Sequence, residues 1–266
     1  MREVPLEPAA GHVAAEGGSA RDLRIRPLAG IPDLRAGDDL GALIASTSAP
    51  ARDEIVVISQ KAVSKVEGRV RRLSEVEPGE RARALAAQLD KDPAIVELVL
   101  AESERIVRAE RGVLITETTG GWVCANAGID SSNLDEGHVS LLPEDGDASA
   151  RRIRGEIAAA SGAAPAVVIA DSFGRAWRVG QADVAIGCAG LAPLADWRGR
   201  RDQHGRELSA THIAIADELA SAADLVRDKD SGVPGAIVAG LGHLVTDDDG
   251  PGARAIPRPA EEDLFR

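Results

Sequence analysis

The chain has no tyrosine, two phenylalanines and three tryptophans among 266 residues. That excludes a core of stacked rings, so alanine, valine, leucine and isoleucine must fill it. Cysteine is nearly as scarce. Cys124 and Cys188 each sit in a run of small or apolar residues, and both read as buried free thiols in a reducing compartment rather than a disulfide or a zinc site. No apolar run approaches the length of a membrane span, and residues 1–20 lack the hydrophobic stretch of a signal peptide. The expected location is cytoplasmic, with no membrane partner. Basic charge is short too. A net charge of −12 argues against nucleic acid, whose phosphates call for a basic surface. A nucleotide ligand stays open, because a metal ion and a few local arginines outweigh a distant field.

Familiar motifs are missing as well. There is no GxxxxGK[ST], which excludes a P-loop, no nucleophile elbow, and the five histidines are scattered. Gly240-Leu241-Gly242 lacks the third glycine of a dinucleotide fingerprint. Internal repeats are absent. Whatever binds here must do so through carboxylates, hydroxyls and glycine-rich turns.

What is present centres on residues 165–190, PAVVIADSFGRAWRVGQADVAIGCAG. Ala166 to Ala170 reads as a buried strand that ends in Asp171-Ser172, followed by Gly174 and the cations Arg175 and Arg178. A metal-bound polyphosphate needs this arrangement: a carboxylate for the hard cation, glycine for close backbone, arginines for phosphate oxygens. An ordinary strand exit with a solvated aspartate is the competing reading. Two other strands end alike. Glu54 to Ile58 opens into Ser59-Gln60-Lys61 and then Ser64-Lys65, and Gly121 to Ala125 runs into Asn126-Ala127-Gly128-Ile129-Asp130 and on to Asn133. Three polar strand ends point to a ligand site at one end of a sheet.

The rest of the chain alternates strands and helices, which predicts a mixed α/β fold. Residues 1–21 read as a disordered extension, 22–246 as the folded domain in one body or two subdomains, and 247–266 as a loose acidic, proline-rich tail. Leu23 to Leu28 is a first strand that stops at Gly30-Ile31-Pro32, either a plain turn or a surface for a base or ribose. The spacing predicts helices from Asp38 towards Ala45, between Pro78 and Val107 with a break at Asp92-Pro93, over Ala148 to Ala160, and over Thr211 to Val226. Gly112 to Glu117 and Gly121 to Ala125 form a hairpin, and Ala236 to Ala239 is a last core strand. The arginines 151, 152 and 154 suit phosphate or, more simply, an exposed helix face.

The blocks PLAGIPDLRAGDDL, ISQKAVSKVEGR, NAGIDSSN, ADSFGRAWRVGQADVAIGCAG, DWRGRRDQHGRELSATHIAIADELASAADLV and SGVPGAIVAGL span Arg24 to Leu241. In that order they resemble the coenzyme F-420-0:L-glutamate ligases, the gamma-glutamyl ligases of deazaflavin coenzyme biosynthesis. Some relatives carry a fused C-terminal nitroreductase-like flavin domain, and the resemblance here is to the standalone form. It implies a gamma-glutamyl ligase-type fold of mixed sheets with flanking helices, working as an intertwined homodimer. It also implies GTP as co-substrate, two divalent cations (magnesium or manganese) and potassium as an activator. Carried over by position, Asp130 and Asp171 would hold the first metal, and Ser172 with Asp228, or its neighbour Asp230, the second. Ser172 stands where a threonine is common, which keeps the hydroxyl. GTP would lie against Gly30, Ile31 and Pro32, against Ser59 and Gln60, against Lys65 and Asn133, and under the loop Val226, Arg227, Asp228, Lys229, Asp230, Ser231 and Gly232. Arg175, Arg178 and Lys65 are the candidates to steady the transferring phosphoryl group. GTP would phosphorylate the lactyl carboxylate of F-420-0, and the amino group of L-glutamate would displace phosphate, with a second, gamma-linked glutamate added in a further cycle. Other readings are ligation of an amino acid to a different acidic cofactor, a GTP-binding regulator without catalysis, and a structural scaffold.

Overall fold

The computed structural model describes residues 22–264, so the N-terminal extension expected over 1–21 lies outside the described residues. Its centre is a five-stranded sheet in the order β1 (Arg24–Pro27), β12 (Gly235–Ala239), β2 (Ile55–Ser59), β8 (Ala166–Arg175), β9 (Arg178–Ala189). The inner strands are continuous apolar runs rather than alternating ones, because both faces of the sheet are covered. Val56, Ile58, Val167, Ile169 and Ile237 point to one core, under α1 (Leu40–Ser48), α2 (Gln60–Val66) and α5 (Gly146–Ser161). Ile55, Val57, Val168 and Val238 point to the other, under α6 (Ile215–Asp224). Few of these side chains are aromatic, as the composition requires.

Pairing in the sheet is antiparallel except between β2 and β8. Long chain separates that pair, and it builds a second lobe of α3 (Glu80–Leu89), α4 (Pro93–Ala101) and a sheet of β4 (Ser103–Glu110), β5 (Val113–Thr118) and β6 (Val123–Ala125). Two smaller pairs complete the strands, β3 (Val70–Arg72) with β7 (His138–Ser140) and β10 (Ala195–Asp196) with β11 (His212–Ile213).

Helix N-termini follow the sequence closely. Asp39, Asp92 and Asp145 each cap a helix by accepting a backbone N–H, and Pro93 fills the first turn of α4. Four expectations need correction. The helix expected to reach Val107 stops at Ala101, and the chain continues as β4. Bulges in β4 place Ser103, Ile106 and Ala109 three apart on its inner side, which imitates helical spacing. The strand from Ala166 does not end at Asp171 but runs to Arg175, held by β9 after β2 has left. The last long helix begins at Ile215 rather than Thr211, because residues 212–213 pair with 195–196.

The fourth correction is the tail. Residues 247–256 are docked, not loose. The buried Asp147 carboxylate accepts from the N–H groups of Cys188 (2.9 Å), Ala253 (2.7 Å) and Arg254 (3.3 Å). Arg154 donates to Asp249 and to the carbonyls of Pro165, Thr246 and Asp247, so it is a structural tie rather than a phosphate contact. Gly146 is required where α5 meets β9, because a Cβ there would come within 2.2 Å of the Ile186 carbonyl oxygen.

Candidate active site

Strand register decides which loops meet. Pro27 pairs with Ala236, Gly235 with Ile58, and Ser59 with Ala170. The end of β1, the start of β12, the end of β2 and the Asp171 stretch of β8 therefore share one edge of the sheet. Backbone bonds tighten this, from Leu28 N–H to Gly235 and from Ser59 N–H to Pro234. Gly30, Ile31 and Pro32, then Ser59 and Gln60, and the segment Val226 to Gly232 are thus brought to the edge that carries Asp171 and Ser172. It is the carboxyl end of the parallel pair, the usual ligand position in such sheets.

Asp171 and Ser172 are neighbours on a strand, so their side chains leave opposite faces. On the Asp171 side stands Lys61, in the first turn of α2, whose Nζ donates to Asp130 Oδ2 at 2.7 Å and to the Ser132 hydroxyl. Ser132 also donates to Asp130 through its N–H and its hydroxyl, each at 2.8 Å. Burial works to raise the Asp130 carboxyl, but Lys61 and the two Ser132 donors outweigh it and hold it below the usual carboxylate range. At Asp171 the compensation is too weak. Burial pushes its carboxyl up to about 7, with the Ser172 amide and Lys61 pulling down and the charges of Asp183 and Asp130 pushing up. Cys124 lies within the field of Asp171. Burial and that charge push its thiol up to about 12, and burial and Asp147 do the same for Cys188, so both free cysteines are inert.

On the other side, Ser172 Oγ donates to Asp183 Oδ1 at 2.6 Å, and Lys229 Nζ donates to Ser172 Oγ at 2.7 Å. Asp183 stands opposite Ser172 in the β8–β9 ladder and is ion-paired with Arg227, both almost fully buried. Arg227 and Lys229 also reach Asp224, at 3.3 and 3.5 Å. Asn133 Nδ2 donates to the Lys229 carbonyl at 3.3 Å and so ties the two sides together.

Several expected site residues take no part in the contacts just described. Asp228 and Asp230 are exposed, whereas the carboxylate that Ser172 touches is Asp183, with Asp224 one step away through Lys229. Lys65 follows Lys61 by one turn of α2, about 6 Å further along the axis, and Lys61 is the lysine that meets Asp130. Gln60 is buried and accepts from Ser64 Oγ at 2.9 Å, an internal role. Arg175 and Arg178 flank the tip of the β8–β9 hairpin. Arg175 sits four residues beyond Asp171, about 13 Å along the strand, and donates to the carbonyls of Val179 and Gly180. Among the described residues no three histidine, cysteine, aspartate or glutamate side chains form a ready cation cage, and Asp130 is paired with Lys61 and Asp183 with Arg227.

Asp183 is the residue that sequence reasoning missed. A two-residue turn makes Arg175 face Arg178, and counting back from that pair puts Gln181 opposite Ser172. A register shift between Gly174 and Arg175 moves the true partner to Asp183.

Fold and site define a mixed α/β protein with a two-sided acidic cluster, each side countered by a lysine, at the carboxyl end of its parallel strand pair. The model of the family described as F420-0:Gamma-glutamyl ligase matches residues 30–240. A protein of Methanopyrus kandleri named coenzyme F420:L-glutamate ligase is 45% identical over 251 residues, covering 94% of this chain and 100% of that protein. Proteins of the same name from Methanothermobacter thermautotrophicus and Methanocaldococcus jannaschii are 43% and 40% identical, each over 89% of this chain and over 96% and 94% of their own length. The chain belongs to the F420-0:gamma-glutamyl ligase family.

Proposed function

We propose that this chain is a GTP-dependent ligase that joins L-glutamate to the deazaflavin precursor F-420-0, and then a further glutamate in gamma linkage. The observation that carries this reading is the gathering of the turn 30–32, the α2 start, the 226–232 loop and the Asp130–Asp171–Ser172–Asp183 cluster at one sheet edge. Family membership and the names of the relatives support the glutamate ligase activity.

Joining a carboxylate to an amine requires that one carboxylate oxygen leave. In the proposed reaction the precursor's carboxylate takes the γ-phosphoryl group of GTP, releasing GDP, and the amino nitrogen of glutamate then displaces phosphate from the acyl phosphate. Phosphoryl transfer is mostly positioning and charge neutralisation. The donor set fits cations. Asp171 is an under-compensated anion, and Ser172 already accepts from an ammonium. Asp130 and Asp171 would hold one divalent ion and Ser172 the other, with Asp183 and Asp224 as the nearby carboxylates in place of Asp228. Bound there, magnesium or manganese would supply charge neutralisation for the phosphate oxygens. Lys61 and Lys229 are placed to turn from their carboxylates to phosphate oxygens as charge arrives.

Mass spectrometry of the purified protein with F-420-0, GTP, manganese and L-glutamate tests the reading. A ladder of glutamyl mass increments is expected. Phosphate release that depends on both glutamate and the deazaflavin marks the ligase, and GTP binding without such release would instead indicate a GTP-binding regulator.

A further inference from the structure

We propose that Asp183 is a positioning residue: it takes the Ser172 hydroxyl proton in a hydrogen bond and so fixes the Ser172 oxygen as an acceptor facing a cation. This rests on the ligase reading above, in which Ser172 serves a divalent ion. A serine hydroxyl has one proton and two lone pairs. With the proton committed to Asp183 Oδ1 at 2.6 Å, the lone pairs are left for cations, and the Lys229 ammonium uses one at 2.7 Å.

Asp183 itself is held on every side. Its carboxylate is 3% exposed, and its second oxygen is taken by Arg227, whose side chain is 8% exposed. Arg227 is braced in turn by Asp224, at the end of α6. Ser221, also on α6, donates to the Asp183 main-chain carbonyl at 2.7 Å. Helix α6 and the first residues after it therefore set the direction in which Ser172 points. Partners of this kind, one bond removed from a cation, typically change its affinity ten- to a hundredfold.

Replacing the carboxylate by an amide reverses the bond. In Asp183→Asn the amide oxygen is needed by Arg227, so the amide nitrogen faces Ser172. The Ser172 oxygen then accepts where it donated, and its own proton turns outward against any cation.

Manganese titration of the full chain by electron paramagnetic resonance, without nucleotide, tests this, with Tm confirming the fold of each variant. Wild type is expected to bind manganese. S172A and D183N should each bind about tenfold more weakly or worse, and S172A/D183N should be no weaker than S172A, because Asp183 acts through Ser172. Wild-type affinity in D183N overturns the inference, as do losses that multiply in the double variant. A loss in D183N without one in S172A overturns it too, since Asp183 would then be a ligand itself. Should D183N not fold, D183L/R227M removes both buried charges with similar volume. A tenfold loss in that variant supports the role, and full affinity overturns it. A wild-type chain that binds no manganese overturns the two-cation reading and this inference with it, whereas full binding by D183N overturns this inference alone.

Discussion

At the residue scale, Asp171 is an acid whose folded value, about 7, lies above its ordinary 3.8. The folded chain therefore holds the Asp171 proton more tightly than the unfolded chain does, and ionisation opposes folding. The cost is absent below about pH 4, where both states are protonated, grows as pH rises towards 7, and is complete above it. Asp171→Asn should consequently raise Tm at pH 8 without added metal and leave it unchanged near pH 4, by calorimetry at the two pH values. A lower Tm at pH 8 would show that the carboxylate is compensated by groups other than those described. For activity the sign reverses. Asp171→Ala should fold normally yet lose on the order of a thousandfold in turnover, a few kcal/mol of transition-state stabilisation. Normal glutamate addition by that variant, followed by mass spectrometry, would remove Asp171 from the machinery.

At the scale of elements, one carboxylate joins three pieces of chain. Asp147, in the first turn of α5, holds β9 through Cys188 and the C-terminal segment through Ala253 and Arg254. Asp147→Ala leaves three buried or half-buried N–H groups without their acceptor, a loss of about 2–5 kcal/mol. Limited proteolysis should then cut within 247–256 well before the rest of the chain. Unchanged resistance there would mean that Arg154, the pairs Arg52–Asp247 and Asp145–Arg254 and the Gly190 backbone bond hold the segment without Asp147. The same contact explains what the sequence does and does not disclose. Capped helices and all-apolar strands are local, and β1, β2, α1, α5, β12 and the capped start of α4 lie where propensity and caps place them. The polar residues that follow the apolar runs, at Ser59, Asp130 and Asp171, are also local features, which is why three of the four clustered residues, Asp130, Asp171 and Ser172, stand out before any coordinates. Docking of the tail depends on Asp147, about a hundred residues away, and Asp183 depends on a register shift inside a hairpin. Neither leaves a local trace. The β4 bulges go further and produce a pattern that argues for the wrong element.

At the scale of the whole molecule, the β8–β9 hairpin has no counterpart in the rest of the sheet. Beyond Ala170 it has no β2 neighbour, and at its tip Val179 is 99% and Trp177 82% exposed, one on either side of Arg178. Two exposed apolar side chains are ordinary by themselves, but here they sit on a stretch of hairpin that β2 does not flank. With the homodimer that the family resemblance implies, the natural partner is a second copy. Val179→Asp with Trp177→Asn, an asparagine being tolerated at the positive φ of 61° that Trp177 adopts, should convert a dimer to a monomer in analytical ultracentrifugation. A wild-type monomer, or a variant that remains a dimer, would exclude the hairpin as the contact. The same geometry bears on Arg175 and Arg178. Within one chain they stand about 13 Å along the strand from Asp171, a separation that favours a role in phosphoryl transfer at the partner's nucleotide over one at their own. If so, R178A and D171A are each inactive alone, yet mixing and re-equilibrating them forms heterodimers in which one site keeps both groups. Activity should reappear in the mixture. Its failure to do so, with heterodimers present, would confine the two arginines to holding the hairpin, where Arg175 already binds the carbonyls of Val179 and Gly180.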